Sequence, residues 1–339
     1  MMINWPPRLN LAQTPTPLTR LERFSTKFEN TNIWVKHDEL TGLEVSGNKI
    51  RKLEFSIAQA FEEGCDTLIT CGGVQSNHCR ATAILGARLG LKVHLVLRGE
   101  SPADVDGNLL LDHLAGAEIS YLPVKQWAGH TEFAMNLAHK YREHGNEAFF
   151  IPVGASDEIG LWGYISAMAE LKRDLEKLDI KPDYIVTATG SGGTQAGLIV
   201  GNALFGLGSR VVAFNVCDDA AYFERKIRYD LALWRDRYSV ELNIDELSIK
   251  TIEGYDGPGY GLATPEVFAT ISELARTEAL FLDPVYTGKA FHGMVKELEQ
   301  AQQGRSTQLP GARDVVFIHT GGLFGLFPQR QNFNFNLSG

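Results

Sequence analysis

Seven short apolar runs, each the length of one strand, alternate with helical stretches along this chain, and that alternation confines it to one fold class. The runs lie at 66–73 (DTLITCGG), 92–99 (KVHLVLRG), 117–123, 148–154, 183–190, 210–219 and 314–322. Helical patterns follow at about 77–89, 108–116, 130–144, 157–178 and from Thr194 onward. Parallel strands need a crossover, usually a helix, and helices then cover both faces of the sheet. The expectation is an α/β fold with mostly parallel sheets. No internal repeat or long flexible linker divides it, and Pro6, Pro7, Pro15 and Pro17 make the opening an extended arm.

One further helix breaks a rule of helix electrostatics. In SGNKIRKLEF, Ile50, Leu53, Ile57 and Phe61 recur at spacings of three and four, which predicts a helix from about Gly47 and Asn48 to Glu63. Its first turn carries Lys49, Arg51 and Lys52, where free N–H groups and the macrodipole disfavour cations. Long cationic side chains that lean into solvent lose little there. Lys49 and Lys52, however, are three apart and share a side. Two ammonium groups on one side of a positive helix end imply a bound anion, or a lysine whose pKa is lowered for attack on a carbonyl.

Four strand ends carry polar groups. In TATGSGGTQAG a strand runs through Gly190, Ser191, Gly192 and Gly193 into a helix at Thr194, a shape that lets backbone N–H groups and a helix N-terminus meet a phosphate. It is not a Walker loop, and Gln195 stands where a dinucleotide fingerprint needs its third glycine. In CGGVQSNHCR, Ser76 and Asn77 stand at a helix start, without the glycine pattern of a serine-hydrolase elbow. Tyr286 and Thr287 open a helix in LDPVYTGKAFHGM, and HTGG closes the last strand. Ligands of open α/β sheets collect at such ends. A lysine, a phosphate loop and strand-end polar groups together point to a phosphorylated aldehyde cofactor held as a Schiff base.

Composition removes other classes. The chain has 32 Lys plus Arg against 41 Asp plus Glu, a net charge of −9 with no long basic run, which disfavours nucleic acid or an anionic membrane as partner. The apolar run near 198–207 is short and broken by Asn202, so no membrane span is expected. The first ten residues lack the apolar core of a secretory signal, and four cysteines suit reduced thiols, so the protein is expected in the cytoplasm. Cys71, His78 and Cys79 match no usual zinc spacing, and no metal is assigned.

The segments SGNKIRKLEF, GGVQSNHCRATA, IPVGASDEIGLWGYI, TGSGGTQAGL, LDPVYTGKA and FIHTGG, in this order, resemble the D-cysteine desulfhydrase and 1-aminocyclopropane-1-carboxylate (ACC) deaminase family over about residues 10–326. FNVCDDAAYF and GGLFGL resemble its plant-type D-cysteine desulfhydrases. The resemblance implies pyridoxal 5′-phosphate (PLP) as cofactor and the tryptophan-synthase-β fold type. It divides the chain into two three-layer domains, a large one of 1–46 plus 161–339 and a small one of 47–160, with the cofactor in the cleft of a homodimer's subunit. Lys49 matches the lysine that carries the cofactor and Lys52 a lysine that reaches its phosphate. Residues 190–194 match the phosphate loop. Asn77 matches the residue beside the phenolic oxygen. Ser76, Asn77 and His78 match the substrate side, Ser76 for the carboxylate or proton transfer, and Tyr260 and Tyr286 match two active-site tyrosines.

Thr287 matches the residue facing the pyridine nitrogen, where the deaminases carry Glu. Thr320 matches a position where the deaminases carry Leu and the desulfhydrases Thr. A carboxylate keeps the ring nitrogen protonated and makes a strong electron sink, whereas a neutral hydroxyl leaves a weaker one that suffices for loss of a good leaving group. Both positions favour β-elimination of a small amino acid, D-cysteine, with Lys49 or Ser76 taking the α-proton. ACC deamination, a lyase acting on another β-substituted amino acid such as cysteate, and a non-catalytic PLP-binding protein are the alternatives.

Overall fold

The computed structural model describes residues 3–305 and 308–334; Met1 and Met2 of the opening stretch and residues 335–339 at the other end lie outside it. The arm leads into β1 (Leu18–Arg20) and β2 (Asn32–Lys36), then α1 (Asn48–Glu62). Next come β3 (Thr67–Gly73), α2 (Asn77–Leu89), β4 (Lys92–Arg98), α3 (Gly107–Leu114), β5 (Glu118–Leu122), α4 (His130–Glu143) and β6 (Ala148–Ile151). Then follow α5 (Leu161–Leu178), β7 (Tyr184–Thr189), α6 (Gly193–Phe205), β8 (Arg210–Asn215), α7 (Ala220–Tyr238), β9 (Lys250–Ile252), α8 (Pro265–Glu278), α9 (Thr287–Gln302) and β10 (Asp314–Ile318). All seven strand-like runs are strands. β1, β2, β9, α7 and α8 were not foreseen, and the helix expected from about 157 starts at Leu161. There the Asp157 carboxylate accepts the Gly160 N–H at 2.7 Å and forms a turn first.

The strands make two sheets. One runs β1-β2-β10-β7-β8-β9, parallel except for the antiparallel β1–β2 pair. The other runs β5-β4-β3-β6, parallel throughout and drawn wholly from residues 67–151. Each is clad on both faces, because side chains alternate along a strand. Tyr184, Val186, Val315 and Phe317 join a core with α8 and α9, while Ile185, Val316 and Ile318 face α5 and α6. In the smaller sheet Leu68, Leu95 and Leu97 pack on α1 and α2, and Ile69, Cys71 and Val96 on α4. Both faces buried explains why these strands read as continuous apolar runs.

A buried ion network fixes α1 from below. Arg51, 1 % exposed, donates to both Asp38 carboxylate oxygens at 2.8 Å and to Glu170 Oε2 at 3.0 Å. Lys36 Nζ lies 2.6 Å from Glu170 Oε1, Tyr164 donates to Asp38 Oδ2 at 2.6 Å, and the arm enters through the Thr16 N–H, which donates to Glu170 at 2.8 Å. Burial alone would raise the Glu170 carboxyl, yet Arg51 and Lys36 hold it down to about 2. The arm also gives the Leu11 and Ala12 N–H groups to Glu54 of α1 at 2.7 and 2.8 Å. Arg51 therefore belongs to the foundation of the helix and not to its ligand face. Two of the three crowded cations, Lys49 and Lys52, remain for an anion.

Candidate active site

The carboxyl ends of β3, β6, β7 and β10 and the starts of α1, α2, α6 and α9 converge on one cleft. At the α6 end, Gly192 adopts φ +84°, a left-handed turn that an L side chain resists, and aims the first turn of α6 inward. The Gly193 N–H donates to Ser156 Oγ at 3.2 Å, Ser156 Oγ lies 2.8 Å from Ser191 Oγ, and Lys52 Nζ donates to Ser156 Oγ at 3.1 Å. Asn48 Nδ2 holds Thr194 Oγ1 at 2.9 Å, and the Asn48 N–H donates to the Thr320 carbonyl at 3.1 Å. A Cβ on Gly154 would stand 2.5 Å from Ser191 Oγ and 3.2 Å from Lys49 Nζ, so both lysines border the same cradle. Gln195 points the other way, donating to the Lys250 carbonyl and to Thr251 at 3.1 Å.

Burial sets the charges. Lys49 keeps an opening to solvent, yet the protein around it pushes its ammonium down to about 8. Lys52 is fully buried and held well below its ordinary value, first by burial and then by the charge of Lys49. Lys49 can thus lose its proton more readily than an ordinary lysine, and an anion beside Lys52 would stabilise the charged form that burial disfavours.

At the start of α2, Ser76 is the N-cap: its Oγ accepts the Cys79 N–H at 3.2 Å. Its own proton has no acceptor among the described residues, and the first-turn N–H groups of Asn77 and His78 have no intrahelical partner by position. Arg80, which can only donate, fixes the amide beside it. It meets Asn108 Oδ1 at 2.9 Å, so Asn108 Nδ2 faces the Gln75 carbonyl at 2.9 Å and Asn77 Oδ1 at 3.0 Å. The Asn77 NH2 is left to donate outward. His78 Nε2 lies 2.7 Å from Thr70 Oγ1, which itself donates to the Ile151 carbonyl. His78 therefore donates through Nε2, its ring is turned into the small sheet, and only its backbone is at the helix end. Cys71 and Cys79 are buried thiols with raised pKa values, and the described residues contain no group of three His, Cys, Asp or Glu that could hold a metal.

Across the cleft, the Tyr260 and Tyr286 hydroxyls are 2.6 Å apart with rings edge to face. Tyr286 Cε1 lies against Gly190, where a Cβ would come to 3.0 Å, and Tyr260 Cε1 against Gly73, at 3.2 Å. Burial pushes the Tyr260 hydroxyl up to about 12 and Tyr286 well above its ordinary value, so both keep their protons near neutral pH. The Thr287 hydroxyl donates to Asp283 Oδ1 at 2.7 Å and accepts the Asp283 N–H at 2.9 Å, leaving one lone pair. Asp283 is buried and also takes the N–H groups of Val285, Tyr286 and Thr287 at 2.8–2.9 Å.

Sequence reasoning missed Ser156, Asn48, Asn108 and Asp283. Only Asp283 had a local signal, an acid four residues before the threonine that opens a helix. The others act on partners 28 to 146 residues away.

This donor set suits a phosphorylated aldehyde: a glycine turn, a helix N-terminus, two hydroxyls and Lys52 for the phosphate, Lys49 for the aldehyde, and the free Asn77 amide for an oxygen between them. Comparison with known proteins agrees. The family described as pyridoxal-phosphate dependent enzyme matches residues 9–321. The bifunctional D-cysteine desulfhydrase/1-aminocyclopropane-1-carboxylate deaminase, mitochondrial, of Arabidopsis thaliana is 38% identical over 94% of this chain and 79% of its own. The D-cysteine desulfhydrase of Serratia proteamaculans is 36% identical over 95% of this chain and 97% of its own. A crystal structure of an ACC deaminase homologue superposes with a TM-score of 0.86 at 34% identity, covering 96% of this chain and 95% of the other. Matched by the family over residues 9–321 and by these relatives along nearly its whole length, this protein is a member of the pyridoxal-phosphate dependent enzyme family, with pyridoxal 5′-phosphate as its cofactor.

Proposed function

We propose that the protein catalyses β-elimination of D-cysteine to pyruvate, sulfide and ammonia. The observation that carries the choice is Thr287, a neutral side chain whose proton is committed to Asp283 at 2.7 Å. The names of the Arabidopsis and Serratia relatives support the same reading.

When bound, the cofactor supplies an electron sink for the negative charge left at Cα. The protein's own groups do the rest. Lys52, Ser156, Ser191 and the first turn of α6 take the phosphate, and the Asn77 NH2 donates to the phenolic oxygen. The Ser76 hydroxyl and the N–H groups of Asn77 and His78 receive the substrate carboxylate, an anion at a helix N-terminus. Lys49, with its amine free, removes the α-proton, a task suited to a base that loses its proton near pH 8. Cβ–S then breaks, and the one hydroxyl proton that the Tyr260–Tyr286 bond leaves free donates a hydrogen bond to the departing sulfur. The enamine product hydrolyses in water to pyruvate and ammonia. Thr287, with one lone pair to offer, and Thr320 leave the ring nitrogen without a carboxylate partner.

The structural relative named as an ACC deaminase homologue, and the double name of the Arabidopsis enzyme, favour ring opening of ACC as the second reading. Parallel assays of pyruvate, sulfide and 2-oxobutyrate with D-cysteine, L-cysteine, cysteate and ACC decide. Higher kcat/KM for D-cysteine supports the proposal; preference for ACC overturns it.

A further inference from the structure

Tyr260 stands on the segment that joins β9 to α8, residues 253–264. Gly254, Gly257, Gly259 and Gly261 of this segment have φ of +90°, +65°, +134° and +82°. A Cβ on Gly254, Gly259 or Gly261 would meet no atom within 4 Å, so these glycines provide backbone freedom and not close packing. A segment of this kind is soft by itself. Yet it must carry the Tyr260 ring across the cleft, from the edge of the large sheet to Gly73 at the end of β3.

One turn of α9 grips it. Lys289 is fully buried and donates to the Asp256 carbonyl at 2.6 Å and to the Gly259 carbonyl at 2.9 Å. No carboxylate among the described residues lies within ion-pair distance of it, and burial lowers its pKa, opposed by the more distant charges of Asp256 and Asp283. An ammonium with no carboxylate in contact is expensive to bury, and a methionine, one atom shorter, would be cheaper. Its two hydrogen bonds are what the buried charge provides. Tyr286, the residue just before α9, lies three residues before Lys289, and its hydroxyl meets Tyr260 at 2.6 Å. Gln329 Nε2 adds one tie, donating to the Gly261 carbonyl at 3.0 Å.

We propose that Lys289 is a positioning residue that clamps the 253–264 segment over the cleft and thereby sets Tyr260 against Tyr286 and the substrate. The inference rests on the active site described above and adds to it a residue that touches neither cofactor nor substrate. Its partners are backbone carbonyls, so the clamp does not depend on the side chain of Asp256; the start of the segment is anchored separately, by Tyr255, whose hydroxyl donates to Glu297 of α9 and whose ring packs on Phe214. Lys289 acts only through Tyr260, so removing the clamp and removing the tyrosine hydroxyl are one loss.

The test is a double-mutant cycle on the PLP-loaded enzyme: Lys289→Met, Tyr260→Phe and both together. Each single variant is expected to lower kcat/KM for the best substrate by ~10- to 100-fold, the scale of a misplaced reacting group. The double variant falls no further than Tyr260→Phe alone, within about twofold. Amide hydrogen exchange gives a second reading that needs no turnover. In Lys289→Met it speeds up across 253–264 and stays unchanged in β3 and β4, while cofactor absorbance is retained. If Lys289→Met does not fold, Lys289→Gln, which keeps a donor, replaces it and shows smaller changes of the same kind. Losses that multiply in the double variant, or unchanged exchange in the segment, overturn the clamp. Absence of D-cysteine turnover in the parent enzyme refutes the proposed reaction and leaves the exchange result to judge the clamp.

Discussion

The state of Lys49 before the cofactor arrives can be read from the pH dependence of reconstitution. Only the neutral amine attacks an aldehyde. A lysine at the ordinary 10.5 is neutral in ~0.03% of molecules at pH 7, whereas at about 8 the neutral share is ~10%, a gain of ~300-fold. The lowered value also fixes the shape of the curve. The rate of attachment to cofactor-free protein should rise about tenfold per pH unit up to about pH 8 and then level off. The second ionisation of the phosphate, near ~6, is complete over most of this range. Stopped-flow absorbance from about pH 6 to about pH 10 gives the curve. Borohydride reduction and peptide mapping then identify the modified residue as Lys49. A rate still climbing tenfold per unit at pH 10 would show an ordinary lysine and refute the argument from burial. A pyridoxyl group on Lys52 or Lys289 would refute the assignment itself.

Ser156→Ala removes the oxygen shared by Lys52 and the Gly193 N–H. Losing a hydrogen bond to a charged group, ~1.5–3 kcal/mol, should weaken PLP retention ~10- to 100-fold in equilibrium dialysis; unchanged affinity would remove Ser156 from the phosphate site. Thr287→Glu combined with Thr320→Leu should lower D-cysteine turnover and raise ACC opening, each single change doing less. The thermal midpoint should also fall, because the Glu breaks the Thr287–Asp283 bond and sets a second carboxylate beside a buried one. ACC opening unchanged in the double variant would argue against ring-nitrogen control.

The sequence carried the sheets because strands covered on both faces are apolar at every position, as Ile185 and Val186 are when they face opposite helices. It did not carry β1 and β9, each three residues long, or α7, whose many charged residues dilute its buried stripe of Phe223, Ile227, Leu231 and Trp234. The same limit applies to the site. Lys49 and Lys52 were conspicuous because they broke a local electrostatic rule, and the glycine loop because its composition is local. Arg51 looked like part of that anomaly, since its partners Asp38 and Glu170 are remote in sequence. Ser156 matters because Lys52, 104 residues earlier, and Ser191 and the Gly193 N–H, 35 and 37 residues later, all reach it. A serine in a loop gives no sign of such a partner.

The ion network under α1 also bears on how the chain comes off the ribosome. The arm is made first, but the Thr16 N–H waits for Glu170, which is synthesised 154 residues later and sits on α5. Until then Asp38 and Arg51 have each other, while Lys36 and Thr16 lack the carboxylate they share. A buried lysine without its acid is not a stable intermediate. The helix that holds Lys49 therefore cannot be seated while only the first sheet-forming segments have emerged. Completion of α1 is coupled to delivery of α5, so a nascent chain stopped short of residue 170 carries every residue of the Lys49 segment without the Glu170 half of the base under it.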